Sequence, residues 1–408
     1  MTVIYYTRWL LMPDQTVLEN GAVSVASGVI TSAGRRSKVR RSSSDRVVNL
    51  DDCLLMPGFI NIHTHLEESV LRGFPQAPGE TFAARFSKKN TRLKSLPEPD
   101  IRSGVRLAVR ESLANGITTV VDHSRLGLSG QILPDESVRA WVVQEVHAET
   151  PEQESALCES IEQGLPADQG LVRRGIAPYA LFSLTPTAHR RVIDAARKRG
   201  CLWAIHMAES AEELQAFSER SGDLFFMQTR RRPWPFGSNP LGPMHCALTA
   251  NLVPNGGLCV HCNYVNGYEL SLLAAKHVSV AICPQYNAAL GHKSFALDIA
   301  LKRGLCVCVG TESVAETESY NLFDELFRLK TAYPHIPAAE MVRWVTLNPA
   351  RALGVSTALG SIEEGKAADI IGVRFRHDPE KDLLEELLVQ ECAVAFVMVN
   401  GEELIIDH

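Results

Sequence analysis

The sequence predicts a (β/α)8 barrel of the TIM type, with a small β-sandwich domain built from both chain termini. Three observations carry that expectation. Between about residue 57 and residue 350, short apolar runs alternate with helical segments, the signature of repeated βα units around a parallel sheet. Most of those runs are Val/Ile/Leu/Cys-rich without strict alternation, as strands covered on both faces require. Both ends of the chain instead carry short strand patterns punctuated by glycine turns, such as "GAVSVASGVITSAG" and "CAVAFVMVNGEELII". The expected division is residues 1–56 plus 356–408 as the composite β-rich domain, and 57–355 as the barrel.

Taken in order, the eight barrel strands are expected at 58–65, 116–124, 139–147, 175–182, 202–210, 257–265, 278–285 and 305–313. Helices between them carry start and stop signals. Ser210 with Glu213, and Asn266 with Glu269, have capping-box spacing, and Gly116 and Gly200 follow the last turns of two others. The Pro/Gly-rich stretch 230–246, "RRRPWPFGSNPLGPMHC", breaks the alternation and is expected to be a long loop placed to cover a pocket.

Composition bounds the function classes. Of 408 residues, 45% are apolar and 22% charged, a globular balance, and no run is long and apolar enough to span a bilayer. The first twenty residues lack the basic start, apolar centre and cleavage site of a secretory signal. Ten cysteines show no framework spacing, so reduced thiols and a cytoplasmic location are expected. Cys259-x-x-Cys262 falls inside an expected strand and reads as two buried thiols. A net charge of −6 supplies no field for nucleic acid, and the basic runs Arg35–Arg41 and Arg230–Arg232 read as solvated loops. A nucleic-acid deaminase needs His-x-Glu followed by Pro-Cys-x-x-Cys; "HAE" at 147–149 has no such partner. A homodimer is the expectation from how common two-fold assemblies are.

Chemistry enters with "NIHTHLEESVLRGF" at 61–74. Residues i and i+2 of a strand share a face, so His63 and His65 can both aim into a barrel mouth. With 13 histidines, chance alone gives about 0.4 His-x-His pairs in such a chain, so the pair needs company. It has it. His206 and Glu209 end the fifth expected strand, His261 lies in the sixth, and Glu312 ends the eighth. A catalytic metal site combines about three protein ligands with an open water position at the C-terminal rim of the strands. His123, His147, His245 and His292 carry no comparable spacing.

The order "PGFINIHTHLEESVLRG", "NGITTVVD", "IHMAESAEE", "HCNYV", "CPQYNAALG" and "GTES" resembles the amidohydrolase superfamily. The resemblance runs to its cytosine-deaminase-like and triazine-hydrolase-like branch, and "HTHLEES" with "LRG" is similar to the aminofutalosine-deaminase-like group. It implies one divalent metal, zinc first with iron or manganese as alternatives, held by His63, His65, His206 and Glu312. It implies that Glu209 moves protons and that His261 orients or polarises the attacked group. The implied reaction is hydrolytic deamination of an amino-substituted nitrogen heterocycle, a purine-like base or nucleoside, with the metal supplying hydroxide and ammonia leaving. Relatives with two metals often bridge them through a lysine after strand four, and "GIAPYALFSLTP" has none, which favours one metal.

The chain departs from the pattern at three places. Glu312 stands where the resembling enzymes read aspartate, a side chain longer by about 1.5 Å. Tyr179 and Gln285 stand where they often carry a histidine and an arginine. Together with Glu68 and Arg72, these two are the substrate-binding candidates. Two alternatives follow: another leaving group, such as chloride or a ring amide, or a paralogue weakened by Glu312.

Overall fold

The structure, a computed structural model, describes residues 2–405 except 165, 231, 238–240, 381 and 390. The N-terminal strands are β1 (Thr2–Leu11), β2 (Val17–Ala26), β3 (Val29–Arg35) and β4 (Arg46–Pro57). The barrel follows as β5 (Phe59–Thr64), β6 (Ile117–Ser124), β7 (Arg139–Val146), β8 (Val172–Pro178), β9 (Ala204–Met207), β10 (Leu258–His261), β11 (Ser279–Ile282) and β12 (Val307–Val309). The chain then returns through β13 (Ile370–Phe375), β14 (Cys392–Val399) and β15 (Glu402–Leu404).

The barrel strands pair in parallel as two four-stranded arcs, β5-β6-β7-β8 and β12-β11-β10-β9. Two seams join them. At one, the amides of Thr311 and Glu312 both donate to the His63 carbonyl, each at 3.1 Å; at the other, the His206 amide donates to the Tyr179 carbonyl at 2.9 Å. The seams therefore run through three of the expected metal ligands, and barrel closure itself sets their spacing. Gly310 permits the first seam, because a Cβ there would lie 2.7 Å from the His63 carbonyl oxygen.

The second-arc strands are shorter than expected, for a physical reason. Ala208, His261, Cys262 and Glu312 have φ of 51°, 70°, 54° and 58°, so the backbone leaves the extended region where the sequence pattern still continues. Non-glycine residues in left-handed backbone concentrate at functional sites. The fourth expected strand also ends early, and Leu181–Ser183 forms a 3-10 turn.

Both termini contribute to one mixed seven-stranded sheet, β15-β14-β13-β4-β1-β2-β3, in which β1 and β4 are parallel. Its own apolar cluster includes Tyr5, Val23, Leu55, Ile370 and Met398. A larger cluster joins barrel strands to their helices through Val120, Val142, Ile205 and Val307 against Val105, Val192, Phe217 and Leu326. A half-buried bidentate pair, Arg139 Nε and Nη2 to Asp369 at 2.8 and 3.1 Å, ties β7 to the segment entering β13.

The 230–246 stretch differs from expectation. Arg231 and residues 238–240 lie outside the described residues. Trp234 and Phe236 pack on Phe217 at 4.9 and 5.3 Å, and the helix Pro243–Thr249 begins within the stretch. Arg232 is buried rather than solvated: its guanidinium donates to Glu154 and to the Phe182 carbonyl. No helix among the described residues is long and apolar enough to cross a membrane.

Candidate metal centre

His63 and His65 leave the end of β5, His206 sits in β9, His261 closes β10, and Glu312 follows β12. All five, with Glu209, are 0 to 2 % exposed. The ligand atoms of His63, His206, His261 and Glu312 lie within 4.8 Å of one another. Glu312 Oε2 abuts His63 Nε2 and lies 3.2 Å from His65 Nε2. The longer side chain at 312 therefore reaches both His63 in β5 and His65 just after it.

Hydrogen bonding sets which nitrogen faces inward. His65 Nδ1 donates to the His123 carbonyl and His206 Nδ1 to the Tyr179 carbonyl, each at 2.9 Å, which leaves both Nε2 lone pairs toward the centre. The Nε2 atoms of His206 and His261 are buried without a hydrogen-bond partner among the described residues, and those of His63 and His65 face the Glu312 Oε2 atom without a well-aligned hydrogen bond. Several unsatisfied acceptors converging with a carboxylate are costly unless a cation joins them, so the donor set fits a divalent metal. Burial pushes His63 down to about 3 and His261 to about 4, and holds His206 well below its ordinary value, so these rings are neutral as ligation requires. His65 goes the other way: burial lowers it, but Glu312 and Glu145 outweigh burial and raise it to about 10, so a cation bound here would displace the Nε2 proton that the two carboxylates otherwise hold.

Glu209 lies beside this cluster. Its Oε1 accepts from the Tyr286 hydroxyl at 2.8 Å, and its Oε2 is 3.7 Å from His261 Nε2. Burial pushes its carboxyl up to about 7, where it can both take and return a proton near neutrality. Ser210 caps the following helix by accepting from the Glu213 amide at 3.1 Å. Glu213, however, accepts from the Glu209 amide rather than closing the capping box on Ser210.

The four substrate-binding candidates are placed differently. Tyr179 is buried with its ring 4.7 Å from that of His206, and it stacks on Phe86 at 4.9 Å. Glu68 is buried near the centre but paired with Lys89 Nζ at 2.9 Å and Arg125 Nη1 at 3.3 Å. Arg72 is not part of the cluster: its half-exposed guanidinium pairs with Glu111 and the Glu318 carbonyl. Gln285 gives its backbone N–H to Glu325 at 2.9 Å, and the next residue, Tyr286, is the one that reaches Glu209.

Sequence reasoning missed Glu145 and set His123 aside. Glu145, near the end of β7, accepts from His123 Nδ1 and Arg125 Nε, each at 3.2 Å, and forms with His65 and His206 a second buried group of metal-binding character. An acid inside the apolar run "RAWVVQEVH" was the available signal. Cys259 and Cys262 are buried free thiols, as expected.

An eight-stranded parallel barrel whose strand ends gather histidines and carboxylates over one point defines a metal-site barrel protein. The amidohydrolase family pattern matches residues 54–404, and the chain belongs to that family. It is 26% identical over 405 residues to a 5-methylthioadenosine/S-adenosylhomocysteine deaminase of Pelotomaculum thermopropionicum, covering 95% of this chain and 88% of that protein. Its fold is similar to that of an adenosine deaminase from Xanthomonas campestris with bound zinc, with a TM-score of 0.83, 23% identity, and 98% and 92% of the two chains covered. It is likewise similar to Helicobacter pylori aminofutalosine deaminase in complex with methylthio-coformycin, with a TM-score of 0.84, 20% identity, and 98% and 100% covered.

Proposed function

We propose that the chain is a metal-dependent aminohydrolase that removes the exocyclic amino group of an adenine nucleoside. One divalent cation, zinc first, would be held by His63, His65, His206 and Glu312. The observation that carries this reading is the convergence of buried imidazole nitrogens on the Glu312 carboxylate, those of His206 and His261 without a hydrogen-bond partner among the described residues, with Glu209 alongside. A cation held there would supply hydroxide near neutral pH, by lowering the pKa of a bound water from about 15.7 to about 7.

The protein's own groups account for the rest. Glu209, buried and raised to about 7, takes a proton from the attacking water and returns it to the departing amine nitrogen. The C–N bond then breaks as ammonia forms and the ring carbon becomes a carbonyl. His261, 3.7 Å from Glu209, orients the attacked ring edge. Tyr179, backed by Phe86, offers an aromatic wall beside the ligand His206. The relatives' named substrates supply the adenine nucleoside class, with 5′-methylthioadenosine as the first compound to test.

The test is ammonia release by zinc-loaded protein from 5′-methylthioadenosine, S-adenosylhomocysteine, 5′-deoxyadenosine and aminofutalosine, with a chlorotriazine in the same panel. Turnover of an adenine nucleoside that is lost in Glu209→Gln supports the reading. Release of chloride without ammonia, or deamination that survives Glu209→Gln, overturns it.

A further inference from the structure

The helix Pro284–Ala289 follows β11 after the single residue Cys283, and its first turn sends two buried side chains toward Glu209. The Tyr286 hydroxyl donates to Glu209 Oε1 at 2.8 Å, while its ring stacks on the His261 ring at 5.5 Å between centroids and 29° between planes. Asn287 forms a reciprocal amide pair with Asn263, 3.0 Å in both directions, and Asn263 Nδ2 also donates to the Glu209 carbonyl at 3.0 Å. On its other side, the Glu209 amide donates to Glu213 at 2.8 Å.

Glu209 is therefore held at its amide, its carbonyl and one carboxylate oxygen, and the second oxygen is left toward His261. Its neighbour Ala208 has φ of 51°, so the backbone here turns sharply and offers no strand neighbours to fix the side chain. His292 Nε2, 3.8 Å from Oε1, is too distant to do so. The hydroxyl of Tyr286 is the one group within hydrogen-bond distance of the carboxylate among the described residues.

We infer that Tyr286 is a positioning residue for the deamination proposed above: it locks the Glu209 carboxylate so that one fixed oxygen meets the reacting atoms, and it seats the His261 ring beside it. The inference rests on that reading for the role of Glu209. A proton moves efficiently only across about 2.6–3.2 Å, and a displacement of about 1 Å costs about a hundredfold in rate.

The experiment compares zinc-loaded wild type, Tyr286→Phe, Glu209→Gln and a control, Tyr6→Phe, in strand β1 of the terminal sheet and outside the barrel. With 5′-methylthioadenosine, Tyr286→Phe is expected to lower kcat by about 10- to 100-fold with KM within about threefold. Zinc content and thermal midpoint should match the control. Crystal structures of wild type and Tyr286→Phe should show the Glu209 carboxylate rotated in the variant. A kcat within about twofold of wild type, or a raised KM at unchanged kcat, overturns the inference while an inactive Glu209→Gln leaves the deaminase reading standing. If no adenine nucleoside is turned over, that reading fails, and an unmoved Glu209 in the variant crystal overturns the inference separately.

Discussion

Replacing Glu312 by aspartate tests whether the glutamate is fitted to this site or marks a weakened one. The carboxylate now touches His63 Nε2 and lies 3.2 Å from His65 Nε2. Aspartate withdraws it by about 1.5 Å. The backbone cannot follow to compensate. The Glu312 amide donates to the His63 carbonyl at 3.1 Å, and the Glu312 carbonyl accepts from the Thr64 hydroxyl at 3.1 Å, so the residue is pinned to β5 on both sides. Backbone strain does not confound the comparison either, since aspartate tolerates the left-handed conformation at φ of 58° at least as well as glutamate. A ligand drawn back by more than 1 Å should lower turnover about a hundredfold, close to 2.7 kcal/mol of barrier. Zinc should also be lost to a competing chelator at lower concentration. The assays are kcat for an adenine nucleoside and zinc content by elemental analysis after dialysis against graded chelator. An aspartate variant that keeps its zinc and turns over faster than wild type would refute the reasoning and return the chain to the weakened-paralogue alternative.

Removing metal with chelator should abolish ammonia release and lower the thermal midpoint, and zinc should restore both. A ligand at about a thousand times its Kd stabilises by about 4 kcal/mol, readily seen by scanning fluorimetry. Gly310→Ala should cost about 1–3 kcal/mol in denaturant titration and release zinc more readily, because the new methyl would meet the backbone of His63, which cannot move aside without opening the seam. Glu325, buried against the Gln285 amide, is pushed up by burial from 4.5 to about 8. Its stabilising contribution is complete below the unfolded value and is lost as pH rises through the folded one. Glu325→Gln should therefore flatten the decline of urea stability between pH about 4.5 and about 8; an unchanged slope would exclude Glu325 as its source.

The parts of this architecture that were legible in the sequence are those governed by short-range periodicity. Buried parallel strands announce themselves as unalternating apolar runs, and a ligand at a strand end needs only to follow such a run, which is why the order of residues alone points to His63, His65, His206, His261, Glu209 and Glu312. Pairings created by barrel closure had no local signature. Glu145 meets His123 and Arg125 across adjacent strands, and Glu68 is claimed by Lys89 from a helix about twenty residues further on. An acid near the centre was visible, but the cation that neutralises it was not. The difference between Gln285 and Tyr286 has the same origin in finer form. The expected strand ran on through 285, with side chains alternating at a period of two. In the structure the strand stops at Ile282 and Pro284 opens a helix, so the period becomes 3.6 and the inward direction shifts to residue 286. A proline two residues beyond an apolar run is itself the signal that the period changes there. Substrate-facing candidates past such a proline belong to the helix's spacing, counted from the proline, rather than to the strand's.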